Sequence, residues 1–319
     1  MNSDPTITIA LDWAANTNHT GLLVALHRGF FADAGLLVRI LPAERARGVT
    51  ELVSAGDADM AFAFAGTVIE QRMAGTPLVA VAAVAQHNVS SLVALAGSGI
   101  TRPSDFAGKR YASFGHPQFE RGVIQRMMTT DGATTTDFTL TAERFASVEL
   151  LTSGAYDFLW VYDGVELVEA ATQGIYLVSF APGNYGVPDY YAPVIFAHDR
   201  LLADSVSREA GRRVITAIQR GYQVAIAQPD AVLADIAATA PALGGWLFAT
   251  EEITRASQQY QSANYAPQSA AHWGEQTLPL WVDFARFLTQ IGVIATMPET
   301  DYPHCFTNDL LITSDDVVL

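Results

Sequence analysis

A polar segment at residues 11–21, LDWAANTNHTG, contains the side chains best suited to recognise a small molecule. Asn16, Asn18 and His19 offer hydrogen-bond donors and acceptors that can read the edge of a flat, nitrogen-rich ring. Trp13 can stack on such a ring, an interaction worth about 0.5–1.5 kcal/mol. The structural alternatives are that Trp13 belongs to the core, that His19 is a buried structural histidine and that Asn18 or Thr20 caps the next helix. Because capping accounts for only one of these residues, we favour a binding loop.

Further candidate contact residues lie at predicted strand ends or where the chain is predicted to cross between two lobes, as is usual for ligand sites of α/β proteins. The alternatives are that residues 86–88 form a simple turn and that Trp160 alternates into the core. The backbone amides of residues 114–116 precede a predicted helix and can take an anionic group. The full set is Phe64, Gln86, Asn88, Phe114, Trp160, Tyr162, Asp163, Tyr185, Asp189, Tyr190 and Tyr191.

Composition and motifs exclude several classes of function. The net charge of −15 disfavours nucleic acid and anionic membranes as partners. The single cysteine, Cys305, excludes an internal disulfide and a cysteine-rich metal site. The chain contains no GxSxG, HExxH or GxxxxGK[ST] motif, its histidines are not paired at metal-ligand spacing, and its apolar runs are too short to span a bilayer. We therefore expect no catalytic residues, no metal, no cofactor and no membrane span.

Hydrophobic periodicity predicts an α/β protein. In the first part of the chain strands alternate with helices, which is typical of a mainly parallel sheet covered on both faces. The predicted strands are 6–11, 36–41, 60–64 and 78–84, and the helices are 22–31, 49–55 and 67–74. A second run follows, with strands at 109–113, 158–162 and 175–179 and helices at 119–128, 148–152 and 165–171. Helices are predicted at 205–227 with Ser205 as N-cap, and at 229–238, 251–264 and 278–291.

An internal repeat supports a division into two lobes. The segment ELVSAGDAD at residues 51–59 recurs as ELLTSGAYD at residues 149–157, each followed by an apolar strand. The pattern predicts a helix ended by glycine, a turn closed by aspartate and a buried strand. We predict lobe 1 at 1–92 plus 196–319, lobe 2 at 93–195, and crossings near 91–96 and 192–197, with residues 306–311 packing back on lobe 1.

Four segments carry a family resemblance: LDWAANTNHTG, HRGFFADAGL, VTELVSAGDADMAF and YGVPDYYAPVI. With them the chain resembles solute-binding proteins of ABC importers, in the branch related to thiamine-pyrimidine synthases that includes formylaminopyrimidine binders of the ThiY type and riboflavin binders of the RibY type. The resemblance implies a type II periplasmic-binding-protein fold with a ligand cleft between two lobes. It also implies an extracytoplasmic monomer without its signal segment, a flat vitamin or vitamin precursor as ligand, and a permease as partner.

Two departures from the family pattern affect the choice of ligand. Formylaminopyrimidine binders usually carry an acidic residue in the PDYYxPV region, where this chain has Ala192. Alanine cannot accept a hydrogen bond and leaves more room, which favours riboflavin over a thiamine pyrimidine, although Asp163 or Asp189 can supply the acceptor instead. The synthases use a pyridoxal-phosphate lysine, a histidine and a cysteine-rich motif. Because this chain has no such motif and only one lysine, Lys109, we expect a binding protein and not an enzyme.

Overall fold

The computed structural model describes residues 6–43, 47–143, 147–245, 250–265 and 272–312. The chain forms two compact units. The first comprises Met1–Asn88, Tyr190–Trp281 and Pro298–Leu319, and the second comprises Val89–Asp189 and Val282–Met297. None of the helices in the described ranges is long and apolar enough to cross a membrane.

The first unit contains a five-stranded sheet whose order is β2-β1-β3-β10-β4. Four strands run parallel, and β10 lies antiparallel between β3 and β4. Runs of small and β-branched apolar residues form these strands, and two of them, β3 and β4, are buried along their whole length. The bounds are β1 Thr6–Ala10, β2 Leu37–Leu41, β3 Met60–Ala63, β4 Leu78–Ala83 and β10 Val194–His198.

The second unit repeats this arrangement with the order β7-β6-β8-β5-β9. Here β5 is the antiparallel strand, between β8 and β9. Both sheets are therefore mainly parallel and carry helices on both faces, which confirms the predicted fold class. The bounds are β5 Ser90–Leu95, β6 Arg110–Ser113, β7 Thr139–Ala142, β8 Phe158–Tyr162 and β9 Leu177–Phe180.

The repeated segment has the same structural role in both units. Asp59 accepts a hydrogen bond from the Thr8 amide of β1 at 2.8 Å, and its own amide donates back to the Thr8 carbonyl at 2.8 Å. Asp157 makes the equivalent pair with Arg110 of β6, at 2.7 and 2.9 Å. The aspartate that closes each repeat thus sets the register between two parallel strands.

Helices cover the sheets, and their bounds lie within two or three residues of most predicted ones. The first unit holds α1 Thr20–His27, α2 Phe30–Asp33, α3 Val49–Ala55, α4 Ala65–Met73, α8 Ser205–Ala227, α9 Leu233–Thr239 and α10 Glu251–Tyr265. The second holds α5 Pro117–Thr130, α6 Glu149–Thr152 and α7 Val168–Thr172. Helix α11, Leu278–Gln290, has its first four residues in the first unit and the remainder in the second. Asp204, not Ser205, caps α8, because its carboxylate accepts from the Val206 and Ser207 amides.

The close packing of α1 on α8 depends on two glycines. A side chain at Gly221 would overlap the Gly21 carbonyl, and one at Gly21 would overlap the ring of Tyr222. The two backbones can therefore approach more closely than larger residues would allow. This contact anchors the helix that follows the polar loop.

The structure differs from the sequence prediction at the crossings. The crossings are predicted near 91–96 and 192–197, but residues 91–95 belong to β5 and residues 194–197 to β10, which pair inside the two sheets. The chain passes from one unit to the other between Asn88 and Val89 and between Asp189 and Tyr190. Strand β7 was not predicted, because its residues alternate weakly between polar and apolar types.

The C-terminal part is also divided differently from the prediction. The predicted boundaries place residues 282–297 in the first lobe, whereas the structure groups them with the second unit. The reason is aromatic packing: Phe284 lies edge-on to Phe119 with ring centroids 6.2 Å apart, and Arg126 stacks over Phe287. The predicted return of residues 306–311 to the first sheet is seen in the Thr307 amide, which donates to Ala80 of β4 at 2.8 Å.

Candidate ligand-binding site

In the first unit the predicted contact residues gather at one edge of the sheet. Parallel strands end at the same edge, and an antiparallel strand begins there. The loops after β1, β3 and β4 therefore lie beside the segment that leads into β10. The residues brought to this edge are Trp13, Asn16, Asn18, His19, Phe64, Gln86, Asn88, Tyr190 and Tyr191.

Asp12 and His19 form a hydrogen-bonded pair at the end of β1. The His19 Nδ1 accepts from the Asn16 amide at 3.1 Å, so the proton of a neutral ring is on Nε2. That Nε2 donates to the Asp12 carboxylate at 3.1 Å. His19 is buried against Phe62, with ring centroids 4.9 Å apart, whereas the Asp12 side chain is 25% exposed. A buried histidine therefore orients a carboxylate that is open to a ligand.

Asn16 and Asn18 are engaged within the protein. The Asn16 side chain caps the short helical turn Thr17–His19 by accepting from the Asn18 amide at 2.8 Å, and it donates to the Ala14 carbonyl at 3.1 Å. The Asn18 side-chain oxygen accepts from Gln261. Both asparagines are buried. Their amides hold the loop in place, and the structure presents neither of them to solvent.

The loop is fixed by a buried polar cluster that it forms with α8 and α10. The Tyr222 hydroxyl donates to the Asn18 carbonyl at 2.6 Å, and the Thr20 hydroxyl donates to Gln258 at 2.6 Å. The Thr17 and Ser257 hydroxyls are 2.7 Å apart. Hydrogen bonds inside a low-dielectric interior are strong and directional, so this cluster makes the loop rigid. A rigid loop pre-organises the residues that precede it, Asp12 and Trp13.

Aromatic side chains line the same edge. Phe64 follows β3 directly and lies edge-on to Tyr190, with ring centroids 6.5 Å apart. Gly66 leaves space for the Phe64 ring, which a side chain at that position would strike. Tyr191 is buried and its hydroxyl accepts from the Thr277 amide at 2.9 Å, which indicates a structural role. Trp13 and Phe64 are half-buried and so keep part of their surface at the edge.

The residues after β4 connect this edge to neighbouring segments. Gln86 donates to the Glu275 carbonyl at 3.2 Å. Asn88 forms a bridge with Ala192, the residue that departs from the pattern of the resembled family. Ala192 is 2% exposed. The segment that leads into β10 at this edge is therefore compact and apolar at Ala192.

The second unit has an equivalent edge that carries the remaining predicted residues. Trp160 is buried, donates to the Ser90 hydroxyl at 2.8 Å and contacts Phe114 and Phe119, so its role is structural, as one of the two sequence interpretations held. Half-buried side chains at this edge are Phe114, Tyr162, Asp163 and Tyr185, and Asp189 is exposed.

A carboxylate of the chain occupies the amides that were predicted to take an anionic group. Glu120, on the first turn of α5, is fully buried. It accepts from the Phe114 amide at 3.1 Å, the His116 amide at 2.6 Å and the Ser113 hydroxyl at 2.9 Å. Burial raises the pKa of Glu120, and these hydrogen bonds oppose the rise. The Glu120 carboxylate thus takes up the hydrogen-bond donors that an external anion would use in the loop after β6.

A second buried carboxyl group stands at the end of β8. Glu166 lies in the π-helical turn Asp163–Leu167 and accepts from the Tyr162 amide at 2.9 Å. Burial raises its pKa to about 7, and the nearby carboxylates of Glu169 and Asp163 add to the rise. Such π-turns often occur at functional sites. Here the turn places a protonatable group directly behind Tyr162 and Asp163.

Sequence reasoning did not select Asp12, Glu120 or Glu166 as site residues. Their positions carry a detectable signal, since each is an acidic residue just after a predicted strand or in the first turn of the helix that follows it. Acidic residues are common there because they also favour helix N-termini. That signal therefore does not separate a ligand contact from a structural residue.

Lys109 and Cys305 are the residues on which pyridoxal-phosphate chemistry in this chain would depend. Lys109 immediately precedes β6, at the end of the strand opposite to Phe114. The only cysteine, Cys305, is buried, and burial raises its pKa to about 12. Within the described ranges no group of three or more His, Cys, Asp or Glu side chains could hold a metal ion.

Comparison with known proteins identifies the family. The family model described as NMT1/THI5 like matches residues 16–232. That span begins inside the polar loop and covers every strand given above except β1, as well as the whole of α8. The chain therefore belongs to the NMT1/THI5-like family.

Curated relatives of this chain include proteins of different named functions. A Haemophilus influenzae protein named for thiamine biosynthesis is 28% identical over 226 residues, 70% of each chain. The formylaminopyrimidine-binding protein of Halalkalibacterium halodurans is 27% identical, over 72% of this chain and 68% of the relative. The 4-amino-5-hydroxymethyl-2-methylpyrimidine phosphate synthase of Uromyces fabae is 32% identical, but only over 44% of this chain and 40% of the relative.

Solved structures share the fold. The ligand-binding component of an ABC-type import system from Staphylococcus aureus aligns with a TM-score of 0.66 over 96% of this chain and 97% of that one, at 10% identity. At this low identity the likeness shows the periplasmic-binding-protein fold alone. It agrees with the predicted fold class.

Proposed function

We propose that this chain is the solute-binding component of an ABC-type importer and captures an aminopyrimidine precursor of thiamine. The observation that carries the proposal is the Asp12 carboxylate, which buried His19 orients beside Trp13 at the carboxyl edge of the first sheet. Ligands of open α/β sheets bind at that edge. The edge thus combines a fixed acceptor with an aromatic surface.

The chemistry of this pair suits an aminopyrimidine. The exocyclic amine of such a ring donates hydrogen bonds, and a carboxylate accepts them. Because His19 already donates to one carboxylate oxygen, the second oxygen is the natural acceptor for the ligand. Trp13 supplies a flat surface on which the ring can stack.

Relatives named as binding proteins and as synthases both match this chain at length, and the binding protein does so at the higher identity. The formylaminopyrimidine-binding protein is 27% identical over 72% of this chain, whereas the synthase of Aspergillus parasiticus is 23% identical over 76% of it. The position of Lys109 and the burial of Cys305 also argue against a cofactor-consuming reaction. A binding role implies a permease as partner and a location outside the cytoplasm.

The test is calorimetric titration with formylaminopyrimidine. We expect micromolar or tighter binding by the wild type and a loss of roughly 10- to 150-fold for Asp12→Asn, because a hydrogen bond to a charged group contributes about 1.5–3 kcal/mol. Asp33→Asn is the control, since Asp33 is an exposed carboxylate of the first unit, 64% accessible, on α2. Equal affinities of wild type and Asp12→Asn would contradict the proposed contact.

Riboflavin is the second candidate, favoured by Ala192 in place of an acidic residue. The polar edge of a flavin presents one N–H between two carbonyl oxygens, so a carboxylate there pairs with the N–H and repels the carbonyls. The Asp12 geometry therefore ranks the aminopyrimidine first. Titration with riboflavin, followed by its visible absorption, distinguishes the two ligands: binding of riboflavin without binding of the pyrimidine would reverse the order.

A further inference from the structure

The loop after β6 has the geometry of an oxyanion cradle. Two backbone amides, of Phe114 and His116, and the Ser113 hydroxyl converge on the two oxygens of one carboxylate at distances of 2.6–3.1 Å. The Gly115 amide donates to Ser113 at 3.1 Å and orients that hydroxyl. The loop leads into the N-terminus of α5, a helix of 14 residues. Amides at such a position favour an anion such as a phosphate or sulfonate.

That carboxylate belongs to the chain itself. Glu120 is completely inaccessible to solvent, and its two oxygens take up all three donors. A backbone amide has one hydrogen, so none of the three donors has a second one to offer. An incoming oxyanion would need to displace a buried side chain and leave it without partners, which is strongly unfavourable.

We propose that Glu120 is a specificity-determining residue, which fills the oxyanion cradle of the second unit from within and so restricts the protein to ligands without a phosphate or sulfonate group. This inference rests on the proposed function and adds the charge class of its ligand. The net charge of −15 acts in the same direction, because it lowers the local concentration of anions.

The first experiment compares ligands that differ only in a phosphate. Hydroxymethylpyrimidine is titrated against its phosphate ester, and riboflavin against its 5′-phosphate. We expect the unphosphorylated member to bind more tightly by a factor of about 10 or more, which corresponds to 1.4 kcal/mol. Equal or tighter binding of the phosphorylated member would overturn the inference while leaving the proposed function intact. Failure of both members to bind would count against the proposed function instead.

The second experiment tests the cradle without any organic ligand. Thermal unfolding is followed in formate, sulfate or phosphate, with chloride at matched ionic strength as reference. In Glu120→Ala the donors are vacated, and we expect these oxyanions to raise its Tm above that in chloride. The wild type should show only the smaller rise that excluded sulfate and phosphate give to folded proteins in general, and Glu120→Gln, in which one donor becomes available, should show an intermediate rise. Stabilisation of the wild type to the same extent as the alanine variant would show that Glu120 does not fill the cradle.

The glutamine variant keeps the inference testable if Glu120→Ala does not fold. In Glu120→Gln the side-chain NH2 group faces one of the three donors and cannot accept its hydrogen bond. That donor therefore becomes available to an anion. The variant also lacks the negative charge of Glu120, which would repel the anion. We expect the preference for the unphosphorylated ligand to fall by a factor of about 5 or more, as a lost hydrogen bond would produce. An unchanged preference would refute a role for Glu120 in specificity.

Discussion

The buried carboxyl group of Glu166 gives a prediction about stability and pH. Glu166 is 7% exposed, and its pKa lies at about 7 in the folded protein instead of 4.5. The chief cause is burial, which disfavours the charged form. Replacement by glutamine keeps the shape and the acceptor for the Tyr162 amide but removes the titration. The wild type and Glu166→Gln should therefore differ in a pH-dependent way.

The sign follows from linkage. A pKa that is higher in the folded state than in the unfolded state means that the folded protein holds the proton more tightly. The resulting stabilisation is complete below pH 4.5 and is lost as the pH rises through 7. A difference of about 2.5 pKa units at 1.36 kcal/mol each corresponds to about 3 kcal/mol. Between pH 4.5 and pH 8, the free energy of unfolding of Glu166→Gln should thus rise by about 3 kcal/mol relative to that of the wild type.

Urea denaturation of both proteins at pH 5, 6, 7 and 8 measures this difference. Glu70, whose pKa burial also raises to about 7, contributes equally to both proteins and cancels in the subtraction. Glu209→Gln is the matched control, because this glutamate on α8 is 59% exposed and its replacement should leave the pH course unchanged. If Glu166→Gln follows the same pH course as the wild type, the reasoning from burial is wrong.

Two further predictions concern the support of the polar loop. Gly221→Ala should lower the free energy of unfolding, measured by urea denaturation, by about 1–3 kcal/mol, because the added methyl group would press on the Gly21 carbonyl. The control is Gly183→Ala, where a methyl group would meet open space. Asn16→Ala should cost about 1–2 kcal/mol by removing the cap, whereas Asn16→Asp, which keeps the acceptor for the Asn18 amide, should lose less. Thermal melts in which Asn16→Ala matches the wild type would contradict this role.

Local patterns predicted the elements that depend on nearby residues. The bounds of α3 and β8 agree with the sequence prediction to the residue, because a glycine stop or a compact apolar run defines each of them. For the residues of β5 and β10, the sequence predicts crossings between lobes instead of strands. Their place in the sheets depends on partners such as β8, which begins more than 60 residues after β5 starts. Periodicity within one segment carries no information on such distant pairing.

For the candidate site as well, local sequence patterns predicted one part, and contacts with distant residues determined the other. The edge of each sheet could be predicted from the sequence, because ligand sites of α/β folds lie after parallel strands. The identity of the side chains open to a ligand could not. Asn18 has the same polarity as a ligand-binding asparagine, but Gln261 donates to its side-chain oxygen and Tyr222 donates to its main-chain carbonyl. Asp12 remained partly exposed because only one of its oxygens is engaged by His19.

The sequence by itself determined the α/β class, the two repeats and the loop around which the first site is built, since these depend on local periodicity, turn residues and the spacing of polar side chains. Only the tertiary structure decided the inserted antiparallel strands and the role of each polar group. The physical reason is that a buried donor or acceptor must be satisfied, and its partner can lie anywhere in the chain. For the loop at residues 11–21, those partners are on α8 and α10, more than 200 residues away.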